Sequence, residues 1–80
     1  MDWSNLEYFL SVAREGSLSK AASKLDVNHS TVARRLDKLE LDLNVKLFNR
    51  QNKGYELTNH GLALQQEAIV VENQVSQIQR

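Results

Sequence analysis

Residues 28–40 read NHSTVARRLDKLE, and their first seven positions gather amide, imidazole, hydroxyl and guanidinium groups able to do chemistry. Asn28, His29, Ser30 and Thr31 are consecutive polar side chains, followed by small Ala33 and by Arg34. Hydroxyl, amide and imidazole groups bond to base edges or phosphate oxygens, and a guanidinium bridges guanine or clamps a phosphate. Small side chains let a backbone approach a surface closely. A helix beginning here also offers unpaired N–H groups and the positive end of its dipole, which suits phosphate. Taken alone, these residues also fit an ordinary solvated helix with two arginines, so the surrounding elements must decide.

Catalytic chemistry has little to work with. There are two histidines and no cysteines in 80 residues, and His29 and His60 are far apart, without metal-ligand spacing. No glycine-rich loop follows a strand as a nucleotide site requires. Ser30 beside His29 is not a triad, because adjacent helical residues point apart. The expectation is a non-enzyme with no cofactor and no metal.

Eighty residues make one small domain with a limited core, for which support from a second subunit is a reasonable expectation. The longest apolar run, Ala68 to Val71, is too short for a membrane span, and MDWSN carries no basic leader. A cytoplasmic protein without membrane contact is expected. Net charge is zero, but it is sorted along the chain. Residues 14–53 hold nine basic against five acidic side chains, and the flanking segments are each net acidic by two.

The elements that must present residues 28–40 follow from caps and periodicity. Ser4 and Glu7 have capping-box spacing with Trp3 and Tyr8 as a staple, or Asp2 caps instead and starts the helix two residues earlier. Leu6, Phe9, Leu10 and Ala13 form its stripe, and Gly16 ends it. Ser17 caps a second helix whose stripe is Leu18, Ala21, Ala22 and Leu25. Asp26-Val27-Asn28 is a tight turn, and Asn28 caps a third helix from His29 to about Leu43, anchored by Val32, Leu36, Leu39 and Leu43. Two short amphipathic helices joined in this way read as a helix-turn-helix.

Beyond Asn44 the period changes. Lys46–Arg50 and Tyr55–Leu57 are strand candidates around a turn at residues 51–54. Thr58 caps a last helix over about residues 59–78. Leu64, Ala68, Val71, Val75 and Ile78 recur at spacings of 4, 3, 4 and 3, a heptad seam suited to a second copy of the chain. The expected fold is mainly α: a winged helix-turn-helix of three helices plus a two-stranded β-hairpin wing, followed by a long C-terminal linker helix. Residues 1–58 form the DNA-binding domain and residues 59–80 the linker and dimerisation helix. Within it, helix three enters a major groove amino end first, and helix two crosses the DNA backbone with Ser17, Ser19 and Lys20 as phosphate candidates. Lys38 flanks the reading face, and Lys53 at the hairpin turn reaches a minor groove or its phosphates. Arg50 either joins that contact or pairs structurally with Glu40 or a backbone carbonyl. A protein-interaction module of the same shape is the competing reading, and zero net charge is its best support. RNA binding is weaker, because no exposed aromatic cluster is available for stacking.

FLSVAREGSLSKAASKLDVNHSTVARRLDKLELDLNVKLFNR followed by LTNHG resembles the N-terminal domain of LysR-type transcriptional regulators, from about Trp3 to Ile78. The resemblance implies a double-stranded inverted-repeat operator as partner and a homodimer paired through antiparallel linker helices. It assigns His29, Ser30, Ala33 and Arg34 to the groove and Thr31 to the backbone, with Lys53 at a wing position that is often arginine. The family often carries glutamine at His29, serine at Ala33 and alanine at His60. Its full chains continue into a ligand-binding domain of α/β type. The expectation is therefore a fragment from which the inducer-binding domain is absent.

Overall fold

A computed structural model describes residues 2–51 and 54–79. The order is α1 (Trp3–Glu15), α2 (Leu18–Leu25), α3 (His29–Leu43), β1 (Phe48–Gln51), β2 (Gly54–Leu57) and α4 (Asn59–Gln79). Mainly helical, with an antiparallel hairpin and a long last helix, this is the winged helix-turn-helix read from the sequence.

Local chemistry explains the boundaries. Asp2 caps α1 by accepting a hydrogen bond from the Ser4 N–H at 3.0 Å. The Ser4 hydroxyl is used elsewhere, accepting from Arg35 at 3.1 Å, so the earlier of the two possible starts is the one adopted. Ser17 accepts from the Lys20 N–H and Asn28 from the Thr31 N–H, fixing the starts of α2 and α3. Gly16, Asp26 and Asn44 adopt left-handed backbone and stop α1, α2 and α3. The left-handed Asp26 makes the sharp turn between α2 and α3, its backbone N–H donating to the Ala22 and Ser23 carbonyls; aspartate is one of the few side chains that tolerate this conformation.

Helix α1 lies at the centre, touching α2, α3, α4 and β2. Its buried arc is accordingly wider than the stripe read from spacing. Val12 is fully buried with Phe9 and Leu10, while Leu6 and Ala13 are only partly covered. Ala21 and Ala22 of α2, Val32, Leu36 and Leu39 of α3, and Leu47, Phe48 and Ala68 complete the core. Phe48 sits between Phe9 and Tyr55, with ring centroids 5.4 and 5.5 Å away.

The hairpin pairs Phe48 with Leu57 and Gln51 with Gly54, so the first strand starts two residues later than its sequence candidate. Lys46 and Leu47 have other partners. The Leu47 N–H donates to the Glu40 carboxylate at 2.7 Å, the Leu47 carbonyl accepts from the Thr58 N–H, and the Lys46 carbonyl accepts from the Thr58 hydroxyl. Thr58 Oγ1 also accepts from the Gly61 N–H, capping α4 as expected. Gly61 lies so close to the Leu47 carbonyl that a Cβ there would overlap it. Helix α4 is therefore seated against the root of the wing. The root is also tied to the end of α1, since the Tyr55 N–H donates to the Gly16 carbonyl at 3.0 Å. No helix among the described residues is long and apolar enough to cross a membrane.

Candidate nucleic-acid interface

The amino end of α3 projects outward. His29, Ser30 and Arg34 are exposed, Thr31 and Ala33 are partly covered, and Val32, Leu36 and Leu39 are fully buried beneath them. Asn28 organises this end. Its Oδ1 accepts from the Thr31 N–H at 3.0 Å, the Thr31 hydroxyl at 3.0 Å and the Ser30 hydroxyl at 2.7 Å. The two hydroxyls are held in place, with lone pairs left to accept from a ligand. Ser30, Arg34 and Lys38 lie successive turns apart on one side of the helix, while Arg35 turns to the other. Arg35 donates to Ser4 and to the buried Asn5 and lies over the Tyr8 ring, holding α3 against α1. Asp2 stands 3.7 Å from Arg35, and its carboxyl is held below the usual range by the hydrogen bond from the Ser4 backbone, then by the Ser4 side chain and the arginine.

Charge is sorted by partner as well as by position. Arg14, Arg35, Lys38, Lys46 and Arg50 each face a carboxylate. Among the described residues, Lys20, Lys24 and Arg34 face none. Those three belong to α2 and α3. Asp2, Asp37, Glu40, Asp42 and Glu72 thus face cations elsewhere and leave Lys20 and Lys24 of α2 and Arg34 near the start of α3 uncovered. Lys24, one turn from Lys20 and likewise without a carboxylate partner among the described residues, joins the candidate face.

The other expected contacts are placed as follows. Ser19 and Lys20 are exposed at the start of α2; Ser17 is partly covered, with its oxygen occupied by the capping bond. Lys38 is bound to Asp42 at 2.9 Å, an exposed pair that a phosphate can compete for. Arg50, which the sequence offered as a contact or as a brace, is a brace here. It donates to Asp37 at 2.7 Å and to Glu40 at 2.9 Å, and lies over Tyr55. Partial burial works against its charge, but the bond to Asp37 and the fields of Glu40 and Asp37 outweigh this and raise its pKa. Glu40, 6% exposed, also accepts from the Leu47 and Phe48 N–H groups, so one carboxylate joins α3 to β1. Lys53 lies outside the described residues.

The seam on α4 divides. Ala68, expected between two copies, is instead 2% exposed within this chain's own core, with Leu64 packed against that core. Val75 is partly covered, while Val71 and Ile78 are 44% and 82% exposed. Leu62 and Val70 are exposed apolar residues outside the seam. Spacing along one helix could not reveal this division, because it depends on α1, which is distant in sequence. Nor could it reveal that Arg14 of α1 pairs with Glu72 of α4.

Comparison with known proteins agrees with this fold. The transcriptional regulator YofA of Bacillus subtilis is 47% identical over 68 residues, covering 85% of this chain and 24% of that protein. ClcR of Pseudomonas putida is 38% identical, over 85% of this chain and 23% of its own length. This chain thus spans about a quarter of these relatives. The CbnR DNA-binding domain in complex with DNA superposes with a TM-score of 0.92 at 34% identity, covering 96% of this chain and 88% of that one. The BenM DNA-binding domain on its catB site 1 DNA gives 0.94 at 32% identity, over 98% and 87% of the two chains. The model of the bacterial regulatory helix-turn-helix protein, lysR family, matches residues 3–62, and the chain belongs to that family.

Proposed function

We propose that this chain binds double-stranded DNA sequence-specifically, as the N-terminal module of a LysR-type transcriptional regulator in the cytoplasm. Helix α3 enters the major groove of an inverted-repeat operator, with His29, Ser30, Ala33 and Arg34 toward the bases and Asn28 and Thr31 at the backbone. Helix α2 brings Ser17, Ser19, Lys20 and Lys24 to phosphates, and the wing, with Lys53, meets the flanking backbone or minor groove. Two copies associate through the exposed part of α4, with Val71 and Ile78 nearest the partner and Val75 beside them. The observation that carries this reading is that uncovered positive charge and exposed hydroxyls coincide on α2 and the outward amino end of α3. The DNA complexes of the similar CbnR and BenM domains support it.

Selection of bound sequences from a random duplex library tests the proposal. A conserved half-site recovered as an inverted pair is the expected result. Failure to bind either enriched or random duplexes at low salt leaves the protein-interaction reading instead.

A further inference from the structure

Arg14 and Glu72 are 58 residues apart and join the last turn of α1 to the middle of α4. One guanidinium nitrogen donates to Oε2 at 3.2 Å and the other to Oε1 at 2.5 Å. A two-pronged pair of this kind fixes orientation as well as distance. The side chains are 47% and 33% exposed, so the pair adds little to folding stability. Its effect is mechanical. The base of α4 is already held at Gly61, against the Leu47 carbonyl, and at Ala68 in the core. Those anchors are about 10 Å apart along the axis, and Glu72 extends the held length to about 16 Å. A slip of about 1 Å at the far anchor then tilts the helix by about 3.5° rather than about 6°.

We propose that Arg14 and Glu72 form a positioning clamp that sets the tilt of α4 on α1, and through it the half-site spacing that two copies of the chain accept. This rests on the DNA-binding dimer proposed above. In such a dimer each α4 carries its own α3, so any tilt of the two arms changes the separation and facing of the two recognition helices. Half-sites about one helical turn apart, or a multiple of it, present themselves on one side of the duplex and tolerate little change.

The test uses this chain with Arg14→Ala, Glu72→Ala and the exchanged pair Arg14→Glu with Glu72→Arg. Each is titrated against duplexes carrying the selected half-site singly, or as inverted pairs whose separation grows one base pair at a time. Wild type should favour one separation. Each single variant should lower that preference by about threefold or more, and the exchanged pair should restore it. Affinity for the single half-site should stay unchanged throughout. Preference retained in either single variant, or lost in parallel with single-site affinity, overturns the proposal. A second readout needs no DNA. The chain has no cysteine, so nitroxides placed by Glu7→Cys and Gln77→Cys, diluted with unlabelled chain, report the α1–α4 distance. Arg14→Ala should broaden that distribution, and an unchanged width sinks the clamp. Duplexes left unbound by a protein whose distribution does broaden would refute the DNA reading and the link to spacing, while upholding the tilt.

Discussion

Arg34 and Lys20 are both cationic and both unpaired among the described residues, yet they stand in different places. Arg34 lies on the outward side of α3 one turn from Ser30, whereas Lys20 lies in the first turn of α2. Arg34→Ala should weaken binding to the selected sequence by about 1–3 kcal/mol and relax preference at one base position. Lys20→Ala should weaken selected and random duplexes alike. Equal losses on both duplexes for both variants, measured by fluorescence anisotropy, would show that the roles are misassigned. Glu40 is the residue whose loss should harm the fold most. Removing its carboxylate strands the Leu47 and Phe48 N–H groups and frees Arg50 from one of its two partners. Glu40→Ala should cost about 3–5 kcal/mol in urea unfolding, a large share of what a domain this size possesses.

At the scale of elements, the docking of α4 on α1 should depend on pH. The hydrogen bond from Arg14, reinforced by its charge, holds the Glu72 carboxyl below its ordinary value of 4.5. A depressed carboxyl stabilises the folded state above that ordinary value, and its contribution fades as pH falls through the lowered folded value. Lowering the pH across this window should therefore loosen the contact between the α1 end and α4, seen as shifts of backbone resonances near Glu72. Glu72→Gln should remove the step. Where an element depends on neighbours in sequence, it was legible. Ser17, Asn28 and Gly16 mark their helix ends because a cap needs only the adjacent turn. The beginning of α1 was open between Asp2 and Ser4, because Arg35, which occupies the Ser4 hydroxyl, lies 31 residues away. Strand β1 was read as starting two residues too early, because nothing local shows that the Leu47 N–H belongs to Glu40. The outward side of α3 that is proposed to meet DNA was visible in its residue types. The bracing role of Arg50 was visible only as one of two options, and Ala68 was misplaced because only the folded α1 covers it.

For the molecule as a whole, zero net charge does not weaken the nucleic-acid reading, since the basic residues concentrate in residues 14–53 and, among the described residues, Lys20, Lys24 and Arg34 face no carboxylate. Affinity for DNA should fall steeply with salt, the logarithm of the binding constant dropping by about 0.9 for each phosphate neutralised per tenfold rise in salt. Lys20→Ala should reduce that slope by about one per copy bound. The apolar residues left exposed on α4 make the second whole-molecule prediction. Val71→Glu should give monomers in analytical ultracentrifugation, because it sets a charge on the part of the seam that the chain's own core does not cover. Dimers that persist would place the subunit contact elsewhere. One further consequence comes from the Glu40 carboxylate, by which α3 holds the start of the hairpin. The root of the hairpin is thereby tied to α3 by three hydrogen bonds to one carboxylate. If both meet DNA as proposed, a duplex that bends must fit the fixed separation between α3 and the hairpin root, and operator stiffness between groove and flank would then enter recognition even at base pairs that no side chain touches.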